Sequence, residues 1–298
     1  MLICGDSQNK ELSEGIAKKL SAVLFYPETD VFPDSEQRVR IETEVLGETI
    51  YLIKSITNPV DSAVMQLTFL VDALLKKGAE RVVGVIPYIP YMRADHIFRT
   101  GEAVPLEVVI KMIQDAGLSE IIIVDPHSIK IPELFSIPVH NLSALSLFAE
   151  KIQEIEPDTS KITIVSPDMG GLRRLQQVDQ ILGGVNKVSI NKDRNYASGE
   201  ISIAAYEGEI RGACFIVDDI ISTGKTIVQA VETLVKEGAE KVYVFGTHAV
   251  FSENASEILQ SCAAEKIFVT NSIPVVPEKT FAKLEILSVA TLISSVVQ

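Results

Sequence analysis

Two stretches of this 298-residue chain repeat one another: VDALLKKGAERV at 71–82 and VETLVKEGAEKV at 231–242 agree at seven of twelve positions, 160 residues apart. In each, apolar residues at helical spacing stop at a glycine, and an apolar run follows, VVGVIPY in the first copy and VYVFGTH in the second. Helix, glycine stop and apolar strand make up the repeating unit of a parallel sheet with crossover helices. The runs TIYLIKSI, EIIIVDP, ITIVSPD, ACFIVDD and KIFVTNS are too uniformly apolar to keep one face in water, so helices must cover both faces. The repeat therefore predicts an α/β chain of two tandem doubly wound parallel-sheet domains related by duplication, residues 1–145 and 146–298.

In such sheets ligands sit beyond the carboxyl ends of the strands. Five predicted strands end in polar chemistry: Ser55 to Asn58, Pro87-Tyr88, Asp125-Pro126-His127, Ser166-Pro167-Asp168 and Asp218-Asp219. The last runs into the most specific segment of the chain, FIVDDIISTGKT at 215–226, where two adjacent acids precede a Ser/Thr/Gly loop that opens a helix. Backbone N–H groups of Ser222, Thr223, Gly224, Lys225 and Thr226 would face an anion at the positive end of that helix. Asp218 and Asp219 can accept from neighbouring ring hydroxyls, so the segment reads as a cradle for a pentose 5-phosphate. Gly224-Lys225-Thr226 also resembles the end of a phosphate-binding G-x-x-x-x-G-K-[ST] loop, but the first glycine of that pattern would fall on Asp219, whose charge repels a triphosphate. A plain helix cap needs one polar residue, and here five polar or glycine positions follow the strand.

A formal net charge of −13 argues against a nucleic-acid partner, since phosphate backbones are bound through clustered Lys and Arg. No apolar stretch approaches the ~20 residues that cross a bilayer, and the N-terminus lacks a basic start joined to an apolar core. No membrane partner and a cytoplasmic location are therefore expected. Cys4, Cys214 and Cys262 are odd in number and far apart, which fits neither a disulfide framework nor a zinc site. They read as small buried apolar residues.

The 215–226 segment resembles the phosphoribosyl pyrophosphate signature shared by type I phosphoribosyltransferases and ribose-phosphate diphosphokinases. Other motifs extend the second resemblance over the whole chain: Phe32-Pro33-Asp34-Ser35-Glu36, Tyr91-Met92-Arg93-Ala94-Asp95-His96, Asp125-Pro126-His127, the segment Val165 to Gly171, and Lys192-Asp193-Arg194. The DPH spelling and short length look closer to archaeal members. The resemblance implies type I phosphoribosyltransferase folds and transfer of the diphosphoryl group of ATP to the C1 hydroxyl of ribose 5-phosphate. It implies that the 1–145 domain serves ATP and the 146–298 domain serves the sugar phosphate.

It also implies site residues. Phe32, Asp34, Glu36, Arg93, Asp95 and His127 would contact ATP, with Phe32 stacked on the adenine. Asp168 would join the 218–226 cradle at ribose 5-phosphate. Magnesium, which keeps several waters and needs few protein ligands, would lie near Asp125, His127 and Asp168. Lys192 and Arg194, in the polar stretch NKDRNYASGE, would be the catalytic cations of a mobile loop. In the family the Phe32 segment reaches a neighbouring subunit, which implies a homo-oligomer, a dimer or larger. Ala94, His96, Ser136, His140 and Lys225 depart from the family pattern. Two alternatives stay open, a catalytically weak regulatory paralogue with the same ligands and a phosphoribosyltransferase.

Overall fold

The computed structural model describes residues 1–97, 99–194 and 201–297, and leaves out the side chains of Met169, 191–194 and 201–207. The strands are β1 Leu2–Cys4, β2 Val23–Phe25, β3 Glu28–Val31, β4 Gln37–Arg40, β5 Thr49–Ile53, β6 Arg81–Val85, β7 Glu120–Val124, β8 Val139–Leu142, β9 Ile162–Ser166, β10 Asn186–Arg194, β11 Ile201–Glu207, β12 Ala213–Ile221, β13 Lys241–Ala249, β14 Lys266–Thr270 and β15 Leu284–Leu287. The helices are α1 Lys10–Leu20, α2 Val60–Lys76, α3 Pro105–Asp115, α4 Leu145–Ile155, α5 Leu172–Leu182, α6 Lys225–Lys236, α7 Ala255–Ser261 and α8 Ala290–Ser294. Among the described residues no helix is long and apolar enough to cross a membrane.

The chain forms two compact units, the first made of Met1–Ser143, Asn271–Pro274 and Ser288–Gln298, the second of Ala144–Thr270 and Val275–Leu287. Residues 271–274 and 288–298 thus fold with the N-terminal unit, although sequence order groups them with 146–298. Two observations within the first unit show what holds them there. Helix α8 packs on α1, where the missing side chain of Gly15 makes room for Ala290, and Asn9 Nδ2 donates to the Asn271 carbonyl at 2.8 Å.

In the first unit a parallel sheet has the order β2-β1-β5-β6-β7-β8; in the second the order is β11-β10-β9-β12-β13-β14-β15, parallel except for β11 at its edge. Taking β9 for β1, β10 for β2 and β12 to β15 for β5 to β8 superposes one order on the other. The repeated sequence has one structural cause in both copies. Gly78 and Gly238 follow their helices with φ +100° and +94°, the left-handed conformation in which glycine is least strained. Their N–H groups donate to the carbonyls of Leu75 and Val235, and the next residues, Ala79 and Ala239, donate to Leu74 and Leu234. Each copy closes its helix identically and turns into its next strand.

The sheets are covered on both faces. Strand β12 is buried at every position but Asp218, and α6 lays Ile227, Ala230, Val231 and Leu234 on the sheet at helical spacing. All three cysteines are free and buried, as expected of apolar residues.

Candidate active site

The acidic strand of the second unit is longer than the sequence suggests. Strand β12 continues through Asp218 and Asp219, with Ile220 and Ile221 paired to His248 and Ala249 of β13. The cradle loop then turns sharply, and α6 starts at Lys225, two residues earlier than its apolar periodicity indicates. Gly224 precedes it at φ +74°, and a Cβ there would lie 3.1 Å from Leu259. The loop rests on a second turn: Phe251 N donates to Ile221 O and Ser252 N to Ser222 O, both at 3.1 Å, and the Ser222 and Ser252 hydroxyls lie 2.7 Å apart. Lys225, an exposed cation at the helix mouth, pairs with Glu253 at 3.1 Å. Backbone donors, hydroxyls and one ammonium therefore line the start of α6, which suits a phosphate.

The acids are held from the other side by a residue that sequence reading passed over. Arg174, on α5, places Nη1 3.1 Å from Asp218 Oδ1 and Nη2 2.9 Å from Asp219 Oδ1. All three side chains are largely buried, at 17%, 14% and 5% exposure, which marks a built arrangement and not a surface pair. The turn between β9 and α5 makes it possible. Asp168 Oδ1 accepts from Gly171 N at 3.2 Å, and a side chain on Gly171 would collide with Ser166 Oγ and crowd Arg174 Nη1 at 3.3 Å. Burial first, and then the charge of Asp219, push the Asp218 carboxyl up; Asp168 adds to this, and Arg174 opposes it. Asp168, Asp218 and Asp219 are thus one electrostatic cluster.

The expected ATP-side residues lie in the first unit. Phe32, Asp34 and Glu36 form the tip of a hairpin between β3 and β4; Ser35 has φ +73°, and Glu36 N donates to Asp34 Oδ1 at 3.1 Å. The Phe32 ring is 42% exposed, with the Arg38 guanidinium 5.6 Å from its centre. The turn after β6 carries an exposed Arg93, and His96 Nδ1 sits 2.6 Å from Asp95 Oδ1. After β7, Asp125 adopts φ +37° and accepts from Ser143 Oγ at 2.7 Å, which leaves His127 exposed two residues on. Asp95 and Asp125 therefore follow neighbouring parallel strands of one sheet.

One expectation needs adjusting. Lys192 and Arg194 belong to β10, where they pair with Ile203 and Ile201 of β11, rather than to a loop; the ladder is made by backbone groups, which polar residues supply as well as apolar ones. Their side chains, and residues 195–200 of the anticipated loop, lie outside the described residues. His140 and Ser136 sit away from the strand ends where a ligand would bind. His140 Nε2 is 3.0 Å from Oε2 of Glu120, the first residue of β7, five residues or about 16 Å before Asp125. Ser136 N donates to Gln114 at 3.0 Å.

Comparison with known proteins fits this architecture. Residues 1–117 match the N-terminal domain of ribose phosphate pyrophosphokinase, and residues 202–298 match the phosphoribosyl synthetase-associated domain. A ribose-phosphate pyrophosphokinase of Aquifex aeolicus is 35% identical over 298 residues, covering 100% of this chain and 94% of the relative. The enzyme of that name from Gloeobacter violaceus is 32% identical over 292 residues, covering 98% and 87%. The crystal structure of phosphoribosylpyrophosphate synthetase from Mycobacterium smegmatis superposes with a TM-score of 0.89 at 31% identity, covering 99% of this chain and 96% of that one. These relatives are bacterial and lend no support to the archaeal likeness read from the DPH spelling. Type I phosphoribosyltransferase folds carry both units, and the chain belongs to the ribose-phosphate pyrophosphokinase family.

Proposed function

We propose that this protein transfers the β,γ-diphosphoryl group of ATP to the C1 hydroxyl of ribose 5-phosphate, giving 5-phosphoribosyl 1-pyrophosphate and AMP. The observation that carries the reading is the second unit's cradle, which puts an acidic pair and a helix mouth at the end of one strand. The 5-phosphate takes the backbone donors of 222–226 and the ammonium of Lys225. The ring hydroxyls donate to Asp218 and Asp219, with Asp168 beside them. A sugar held at both ends presents its C1 hydroxyl in one direction, and such a transfer depends mainly on positioning and charge neutralisation.

Phe32 offers an aromatic face for the adenine, with Asp34 and Glu36 as acceptors for its amine. Arg93 and His127 meet phosphate oxygens, and Asp95 fixes the turn through His96. Lys192 and Arg194 neutralise the transferring group. Among the described residues no three His, Cys, Asp or Glu converge on a metal cage. Magnesium needs none, because it is carried by phosphate oxygens and takes one or two carboxylates. Asp125 and Asp168 have the hard oxygens that suit it, whereas the His127 imidazole suits a phosphate better. When bound, the ion would neutralise phosphate charge. The protein works as a homo-oligomer in which the Phe32 hairpin reaches a neighbouring subunit, in the cytoplasm, without nucleic acid or membrane.

The test is AMP release from ATP, magnesium and ribose 5-phosphate by the purified protein. Sugar-dependent AMP supports the reading. Its absence under several divalent ions would leave a protein that binds these ligands without turning them over.

A further inference from the structure

We infer that Arg174 is a positioning residue for the sugar: its guanidinium spans Asp218 and Asp219 and holds both carboxylates in place to receive two ring hydroxyls together. This deepens the reading given under Proposed function and rests on it. Two adjacent carboxylates with little exposure repel one another, and either can escape by rotating away or by taking a proton. An acceptor that carries a proton or has rotated away no longer meets its hydroxyl. The guanidinium works against both escapes, because its planar fork reaches one oxygen of each acid, at 3.1 and 2.9 Å. A lysine has the charge but presents a single point, so it cannot fix both acids in one geometry.

The local backbone is arranged for this contact. Arg174 lies in the first turn of α5, directly after the Asp168 turn, and Gly171 opens the space through which its Nη1 passes. An exposed arginine paired opportunistically would need no such opening. The guanidinium stays when the sugar binds, since it approaches from α5 while the phosphate seat lies at the start of α6.

Ribose 5-phosphate titrated calorimetrically into the full-length protein, together with steady-state kinetics, tests this. Arg174→Met should weaken sugar binding by about 10- to 100-fold, the range for losing a hydrogen-bonded charge, while the KM for ATP moves less than about twofold. Arg174→Lys should recover part of the loss. A structural role would lower kcat and raise both KM values together without rescue by lysine. Sugar affinity of Arg174→Met within about twofold of wild type overturns the inference, and so does tighter binding, which would mean that the guanidinium fills the sugar's own seat. If Arg174→Met does not fold, the comparison moves to Asp218→Asn, where the repulsion is gone. Arg174→Met added to that background should still weaken the sugar by fixing Asp219 less well, and equal affinity of the two overturns the inference. Wild-type protein that binds no ribose 5-phosphate defeats the proposed function and this inference together, whereas normal wild-type binding with an indifferent Arg174→Met defeats the inference alone.

Discussion

Replacing Lys54 by methionine should destabilise the protein severely, and removing its partner as well should restore part of the loss. Lys54 Nζ lies 3.3 Å from Asp6 Oδ1, and the two side chains are 3% and 2% exposed. Asp6 also accepts from Ser55 N at 2.8 Å and from Gln8 N at 3.1 Å, so its position is fixed by backbone as well as by charge. With Lys54→Met the carboxylate stays buried without its cation, a change that costs about 3–5 kcal/mol. For a unit of this size each kcal/mol lowers Tm by about 2–4 °C, which gives a fall of roughly 6–20 °C. Lys54→Met/Asp6→Asn removes the buried charge and keeps one acceptor oxygen for Ser55 N or Gln8 N, while the amide nitrogen faces the other donor, so its loss should be smaller, about 1–3 kcal/mol. The chain contains no tryptophan, so calorimetry or circular dichroism must follow the transition. A Lys54→Met transition within about 2 °C of wild type, or a double variant as unstable as the single one, would show that the pair is not an electrostatic unit.

Other expectations concern the second unit. Gly224→Ala forces an L-residue into φ +74° and against Leu259, and should cost about 1–2 kcal/mol together with a raised KM for ribose 5-phosphate, measured by melting and by initial rates. The raised carboxyl of Asp218 makes the ligand-free fold favour its protonated form, so this group's contribution to stability falls as pH rises from the ordinary carboxylate range, ~4, toward the raised value. Sugar hydroxyls favour the ionised form, so ribose 5-phosphate should bind more tightly as pH rises through that window, and Asp218→Asn should flatten the dependence in a calorimetric pH series. Lys192→Ala should leave ATP and sugar binding nearly intact while turnover falls by roughly 100- to 1000-fold, read as AMP release in single-turnover mixing.

Much of the fold could be read in the chain because the repeat is backbone chemistry written in residues: Gly78 and Gly238 mark helix ends with φ +100° and +94°, and apolar runs fill the strands. The run from an acidic strand end through a short loop into a helix was equally legible, since Asp218 to Thr226 is contiguous. What escaped depends on contacts far along the chain. Ile220 and Ile221 extend β12 because β13 runs alongside as far as Ala249, which no local pattern reveals. Arg174 sits beside Arg173 on an amphipathic helix and reads as one more solvated cation. The available clue was charge balance, because two adjacent acids on an apolar strand need a cation from somewhere, and Gly170-Gly171 lies just ahead of this one. The return of 288–298 to the first unit rests on small residues, Gly15 against Ala290, which carry almost no signal in sequence.

The strand registers show why one copy of the fold carries the acidic pair and the other does not. Val82 and Val242 are equivalent in the repeat; Val82 pairs with Ile50 and Val242 with Cys214. Counting four residues on from each partner, Lys54 stands where Asp218 does, and Ser55 where Asp219 does. In the first unit that place holds a cation neutralised within the fold by Asp6, so a sugar would find no acidic pair there. In the second unit Asp218 and Asp219 share one guanidinium, the charge of Asp168 also acts on Asp218, and the crowding of acids is kept at a cost in stability. A fold that keeps like charges adjacent and partly buried in one copy, and cancels them in the other, separates a structural role from a ligand-binding one by charge alone. By the same reasoning Lys54→Asp should not create a second sugar site: it adds a carboxylate beside Asp6 with no guanidinium to hold the two, and the outcome should be loss of the first unit's fold, not a second equivalent of bound ribose 5-phosphate.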